Sequence, residues 1–395
     1  MNTSARSIGF LFALVTIAVC GTAVAQSWGP RTLAELKDET LNRARGGWRG
    51  VKFEDAERAV AALDSLDRDV WAAAWSAIGE EYMARAAAAA SPDEARENYY
   101  YAWRYFNTAR WPTEKHSPGK RRAYESGLRA FELYGRHLDP PLETVRIPFE
   151  DTELVAYLRI PAGVRPAPLV FGINGLDSRK EDVIAGSDAY LDMGVAAFAI
   201  DMPGTGQAPI LIDVGAERMF SAALDYLQTR PDIDASRIVV YGRSWSGYWA
   251  AVLAYTERDR IRGAVIPSVG IHRYFQPEWQ SEAVNAPEYL FDLFPARAAV
   301  YGVETMEEFL AFGPRMSLIA RGLIDQPSAP MLLVNGALDT QMPISDLYLL
   351  MRHGDPKLAW VNPEGGHGGD SERYPSRWVR EQVIYPWLRH QLGVP

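Results

Sequence analysis

The run Arg237-Ile-Val-Val-Tyr-Gly-Arg-Ser-Trp-Ser-Gly-Tyr-Trp-Ala250 carries a β-branched stretch directly into Gly242-Arg243-Ser244-Trp245-Ser246-Gly247, and a helical pattern follows. Strand, sharp turn and helix make the setting in which a serine sits in a strained backbone conformation with its hydroxyl presented for attack. Side chains two residues before and two after such a serine would collide, so both places demand small residues. Gly242 and Ser246 occupy them around Ser244. Ser246 stands where glycine is usual, as the smallest chiral residue with a polar group. Were Ser246 itself the nucleophile, its flanks would be Ser244 and Tyr248, and tyrosine is too large. Ser244 is therefore the candidate nucleophile.

A serine hydroxyl at its ordinary pKa is a poor nucleophile; it needs a base, and the base needs an orienting acid. On this scaffold the chain order is serine, acid, histidine. His367 lies in Glu364-Gly-Gly-His-Gly-Gly-Asp370, where glycines let the loop carry an imidazole over the sheet edge. Asp339 ends the loop after the apolar run Pro330-Met-Leu-Leu-Val334. Of the other histidines after Ser244, His272 precedes any suitable acid, and His353 and His390 fall on helical stretches where a solvent-facing role fits better. Nucleophilic catalysis also needs two N–H groups aimed at the developing oxyanion. The amide of Trp245 supplies one in this reading. Leu176, in Gly172-Ile-Asn-Gly-Leu-Asp-Ser178, supplies the other, with Gly175 giving the backbone freedom. Asp177 and Arg243 lie beside this machinery, as shapers of pocket electrostatics or as structural ion pairs.

The elements that must position these residues are legible as a pattern. Residues 28–140 are dense in alanine and charge and read as helical, with apolar spacing from Phe53 to Ala90 and further helices over about 92–110 and 117–137. Ser91 and Pro92 mark a helix start. The 92–110 helix carries more rings than one buried face needs, for helix packing or as a wall against substrate. Asp139-Pro140-Pro141 marks a boundary. Beyond it, short strand runs alternate with helical ones: Val145–Phe149, Leu154–Ile160, Leu169–Ile173, Ala196–Ile200, Ile238–Tyr241, Gly263–Pro267, Pro330–Val334 and Leu358–Val361, with helices over Arg218–Thr229, from about 245, and over 376–392. That rhythm predicts an α/β fold with a doubly wound, mostly parallel sheet. It breaks over about 270–327, an aromatic-rich helical stretch placed where a lid would lie. The expected organisation is a targeting segment at 1–25, an N-terminal helical domain at 26–141 and a catalytic domain at 142–395.

The motifs Asn174-Gly-Leu-Asp-Ser-Arg-Lys-Glu181, Asp201-Met-Pro-Gly-Thr-Gly206, Gly242-Arg-Ser-Trp-Ser-Gly247, Asn335-Gly-Ala-Leu-Asp339 and Gly366-His367 resemble those of α/β-hydrolases with an amino-terminal helical domain. That group includes 2,6-dihydroxypseudooxynicotine hydrolase, fungal polyketide-shortening hydrolases and FrsA-like esterases. The resemblance runs from about residue 90 to the end. By position it implies Ser244 as nucleophile, His367 as base and Asp339 as orienting acid, with the site between the two domains and dimers in some members. Members cleave esters or carbon–carbon bonds beside a ketone. The chain departs from the pattern at Ser246 and in its amino terminus.

Composition narrows the alternatives. The chain has 395 residues, 48% hydrophobic, and a formal net charge of −9, which argues against nucleic acid as a partner. It holds one cysteine, Cys20, so no intrachain disulfide or cysteine zinc site can form. Arg6, the apolar run Ile8–Val19 and Ala23-Val-Ala25 read as a secretory signal cut after Ala25, since the run is short for a bilayer core of ~30 Å. A retained membrane anchor is the alternative. Val19 before Cys20 disfavours a lipoprotein. Gly204-Thr-Gly206 lacks the third glycine of a dinucleotide fingerprint. The expected protein is a periplasmic or secreted serine hydrolase without metal or cofactor, acting on a small ester with apolar or aromatic groups. C–C hydrolysis of a ketone substrate and a non-catalytic binding protein on the same fold are the rivals.

Overall fold

The computed structural model describes residues 32–395. The expected signal segment at 1–25 lies outside the described residues.

Five helices come first: α1 (Leu33–Arg45), α2 (Phe53–Ala61), α3 (Arg68–Ala87), α4 (Pro92–Ala109) and α5 (Pro118–Gly135). Side chains accepting free amides start several of them. The Ser91 hydroxyl accepts the Glu94 N–H at 3.2 Å, with Pro92 as the first helical residue. The apolar spacing from Phe53 to Ala90 does not give one helix. The chain breaks after Ala61, and Asp67 opens α3 by accepting the N–H groups of Asp69 and Val70 at 2.7 and 3.2 Å. The rings of α4 serve packing: Trp103, Tyr105 and Phe106 are buried in a core shared with Trp71, Trp75 and Phe131.

Eight strands then form one sheet: β1 (Glu143–Phe149), β2 (Thr152–Arg159), β3 (Ala167–Ile173), β4 (Ala196–Ile200), β5 (Ile233–Gly242), β6 (Gly263–Pro267), β7 (Met331–Gly336) and β8 (Leu358–Asn362). Their order is β1-β2-β4-β3-β5-β6-β7-β8. The β1–β2 and β2–β4 pairs are antiparallel and the others parallel. β3, β4, β6 and β7 are buried along their whole length, as parallel strands covered on both faces must be. β5 begins earlier than the apolar run suggests, because Ile233 pairs with Ala167 before the register shifts.

Two short helices the pattern does not announce, α6 (Lys180–Ala185) and α7 (Asp188–Asp192), follow β3. Helices α8 (Arg218–Thr229) and α9 (Trp245–Thr256) cover one face; α9 is buried from Trp245 to Tyr255. The carboxyl-terminal helical stretch, Ser376–Leu392, covers the other face and contains a π-helical turn at Arg380–Ile384. β3 is the switch point, because its neighbours β4 and β5 are reached in opposite directions. The loops after β3 and β5 therefore meet in the crevice where such folds place ligands.

Between β6 and β7 the chain forms helices alone: α10 (Pro277–Ala283), α11 (Leu293–Tyr301) and α12 (Met306–Phe312), with 3-10 turns. One buried carboxylate fixes the root of this insertion. Asp346, in α13 (Ile344–Met351), accepts the N–H groups of Ile271, His272, Arg273 and Tyr274 at 2.7, 3.0, 2.8 and 3.1 Å. Burial pushes its carboxyl above the ordinary value against the pull of those four amides. The insertion also meets the amino-terminal helices. Arg68 holds Asp292 through two bonds of 2.7 and 2.9 Å, and Trp111 stacks on Tyr289 with centroids 5.3 Å apart.

Candidate active site

Ser244 stands between the end of β5 and the first turn of α9 with φ 62° and ψ −128°, a conformation costly for any residue with a Cβ. The turn closes so tightly that a Cβ on Gly242 would lie 2.1 Å from the Ser246 carbonyl oxygen. The Ser244 N–H donates to Pro267 O at 2.9 Å, which ties the turn to the end of β6. Ser246 is fully buried, and its hydroxyl donates to Ile173 O and Arg243 O at 2.9 and 3.0 Å. It therefore joins the turn to β3 and is not available at the surface.

Asp339 and His367 come together from loops after β7 and β8. The His367 Nδ1 lies 3.1 and 3.0 Å from Asp339 Oδ1 and Oδ2. The Asp339 side chain is fully buried and the imidazole is 15% exposed, so its outer nitrogen, Nε2, faces away from the acid. Asp339 Oδ1 also accepts the N–H groups of Gln341 and Met342, both at 2.9 Å. Burial works against its ionisation, but His367 and these amides together hold the carboxyl below the ordinary range. Arg243, just before Ser244, donates from Nη2 to His367 O at 3.3 Å, so the histidine loop rests on the serine turn. His272 instead meets Ser317 at 2.8 Å, and His353 meets Asp325 at 2.8 Å, both apart from this constellation.

Leu176 is buried in the turn after β3. Among the described residues, neither its N–H nor that of Trp245 has an intramolecular acceptor. Asn174 braces the turn: Nδ2 donates to Gly175 O and Ser178 O, both at 2.8 Å, and Oδ1 accepts Met202 N–H at 2.6 Å. A Cβ on Gly175 would lie 3.7 Å from the Ser244 Cβ, so the two turns touch. Asp177 is engaged by the helical domain, accepting the Trp111 indole N–H at 2.8 Å.

Residues far away in sequence complete this side. Arg179 is buried; it donates from Nη1 to Leu176 O at 3.1 Å and from Nε to Glu114 Oε2 at 3.1 Å. The other Glu114 oxygen accepts Gly206 N–H at 3.0 Å. Burial opposes ionisation of Glu114, yet Arg179 and Arg110 hold its carboxyl below the ordinary value. Nothing local in the sequence announces Glu114. Its signal is only that an acid stands in the short linker between two helices. Ser268, directly after β6, was equally silent: its hydroxyl donates to Asp339 Oδ2 at 2.9 Å. Among the described residues no cluster of His, Cys, Asp or Glu is arranged to hold a metal, and no helix is long and apolar enough to cross a membrane.

Comparison with known proteins agrees with this architecture. Esterase FrsA of Citrobacter koseri is 23% identical over 304 residues, covering 72% of this chain and 72% of that protein. The 2,6-dihydropseudooxynicotine hydrolase of Paenarthrobacter nicotinovorans is 30% identical over 228 residues, covering 56% of this chain and 60% of that protein. The crystal structure of a 2,6-dihydroxy-pseudo-oxynicotine hydrolase superposes with a TM-score of 0.73 at 22% identity, covering 87% of this chain and 94% of that one. The sheet order, the helical cover and the amino-terminal helices are those of an α/β-hydrolase with a helical domain. The esterase FrsA-like family model matches residues 64–358, well over half of the sequence, and the chain belongs to the FrsA-like esterase family.

Proposed function

We propose that this protein is a serine hydrolase of carboxylic esters that works through an acyl-enzyme. The observation that carries the reading is the Asp339–His367 pair, with Nδ1 turned to a buried carboxylate beside the strained turn of Ser244. Ser244 Oγ attacks the ester carbonyl carbon as its proton passes to His367 Nε2. Asp339 holds the imidazolium, and the free amides of Leu176 and Trp245 receive the oxyanion. Collapse of the tetrahedral intermediate breaks the carbon–oxygen bond, and the alcohol leaves with the proton from His367. Water, deprotonated by His367, then attacks the acyl carbon and releases the acid.

A second reading, hydrolysis of a carbon–carbon bond beside a ketone, draws on the likeness to the pseudooxynicotine hydrolase. It uses the same Ser244 and His367. The amino-terminal segment directs export in either case, and mass spectrometry of the secreted or periplasmic protein is expected to find Gln26, free or cyclised to pyroglutamate, as its first residue.

Fluorophosphonate labelling with peptide mapping, beside a panel of p-nitrophenyl esters, tests the reading. A single adduct on Ser244 with ester turnover supports the esterase. An adduct without ester turnover favours the ketone substrate. No adduct on folded protein removes both. Ser244→Ala is expected to lower turnover at least ten-thousand-fold, about the scale of nucleophile loss elsewhere.

A further inference from the structure

Ser268 directly follows β6 and is fully buried. Its φ is +64°, a region that L-residues other than glycine occupy only under strain. Glycine would meet this backbone without strain, so the serine side chain has to be there for a contact it makes. Its hydroxyl makes two. It donates to Asp339 Oδ2 at 2.9 Å and accepts the Gly368 N–H at 2.6 Å. Gly368 is the residue after His367, and it carries φ +88°. One oxygen thus joins the acid to the loop of the base. The Ser268 backbone is fixed independently, by its N–H to Val334 O at 2.8 Å. Its carbonyl lies where a Cβ on Gly247 would come within 2.6 Å, so the residue also abuts the first turn of α9.

The geometry points to Ser268 as a positioning residue for catalysis: its hydroxyl sets the separation and angle between Asp339 and His367. The inference rests on the serine-hydrolase reading above. Asp339 has two oxygens facing His367 Nδ1 at nearly equal distance. Oδ1 is held by the amides of Gln341 and Met342, whereas Oδ2 has the Ser268 hydroxyl as its other partner. Removing that hydroxyl frees the carboxylate to rotate about its fixed oxygen. It also frees the Gly368 amide, so the imidazole loses its register with Ser244. The lost donor leaves more charge on Oδ2, which strengthens its hold on the imidazolium.

The test is a set of full-length variants: Ser268→Gly, Ser268→Ala and, as reference, Ser244→Ala. Glycine removes the hydroxyl and relieves the backbone; alanine removes the hydroxyl and keeps the strain. Both are expected to lower kcat by about ten- to a hundred-fold, the scale of a misplaced catalytic group, with KM within about threefold. The acid limb of the kcat/KM profile is expected to move to higher pH in both. Thermal stability is expected to separate them, with glycine the more stable. A merely structural role would give the opposite pattern: Ser268→Gly with wild-type kcat and an unmoved limb, which overturns the proposal. Ser244→Ala with normal turnover would remove the underlying reading, and this inference with it. An inactive Ser244→Ala beside a fully active Ser268→Gly would remove the Ser268 role alone.

Discussion

The turn that carries Leu176 is held by ionic and aromatic side chains that arrive from the helical domain. Glu114 reaches Arg179 and Gly206, Trp111 reaches Asp177, and Arg104 and Asn107 reach Asp182 at 3.3 and 2.8 Å. The loop that carries His367 is held by its own backbone and by the neighbouring strands. Gly366 N–H donates to Asp370 O at 3.1 Å, Gly369 N–H to Gly366 O at 3.0 Å, and Asn362 Nδ2 to Gly369 O at 2.9 Å. One side of Ser244 therefore depends on buried charge across a domain boundary, where losing one partner strands the other. The opposite side depends largely on main-chain bonds, each worth about 1 kcal/mol net, around Asp339 and Arg243, and all of these partners belong to the sheet domain. Damage to the helical domain should reach the Leu176 turn while leaving the Asp339–His367 geometry in place.

The largest expected effect lies on the histidine side. Asp339→Asn is expected to reduce ester turnover about ten-thousand-fold, because the amide favours the wrong imidazole tautomer. Its melting temperature should move far less than its activity, as measured by calorimetry beside steady-state kinetics. The corresponding break on the other side is Glu114→Ala. It leaves Arg179 buried without its carboxylate, so urea unfolding is expected to show a loss of about 3–5 kcal/mol. Turnover should fall through displacement of the Leu176 amide, while the acid limb of kcat/KM stays put. A moved limb would show that the two sides are coupled. Acid sharpens the same contrast. Burial opposes ionisation of Glu114 and Asp182, but their arginine partners hold both carboxyls below their ordinary values. Their contribution is complete above the unfolded carboxylate range of about pH 4 and is lost as pH falls through the lower folded values. The difference in melting temperature between the unmodified protein and Glu114→Ala is therefore expected to be level above about pH 5 and to shrink at more acid pH. The smallest effect is Ser246→Gly. It removes a hydroxyl bonded to Ile173 O and Arg243 O, for about 1–2 kcal/mol, with turnover within about threefold.

Local chemistry made much of this legible. Strand runs and the small residues around Ser244 placed the sheet and the serine turn, because both signals lie within a dozen neighbouring residues. The departure at Ser246 acquires a reason in the fold: the hydroxyl spans from the turn to β3. What stayed hidden is what folding brings from afar. Ser268 contacts Asp339 and Gly368, and Glu114 contacts Arg179, across long stretches of chain. A lone serine after a strand and a lone glutamate in a linker have no periodicity or motif to mark them. The break between α2 and α3 was missed for another reason. The apolar residues on both sides keep a helical spacing, and Asp67 ends that continuity by capping a new helix.

The Asp346 anchor has a consequence for how such an enzyme diversifies. Four successive amides at Ile271 to Tyr274 converge on one carboxylate that belongs to the sheet domain. The helical insertion is thereby moored by main-chain atoms, which every amino acid other than proline can supply. Side chains on the solvent face of α10 to α12 can be exchanged without loosening that mooring, while Tyr289 and Asp292 keep the insertion on the helical domain and the buried face of α11 keeps it on the core. The insertion can in that sense drift in sequence on its exposed side while its root stays in place, because the atoms that hold the root are the same for nearly every residue type.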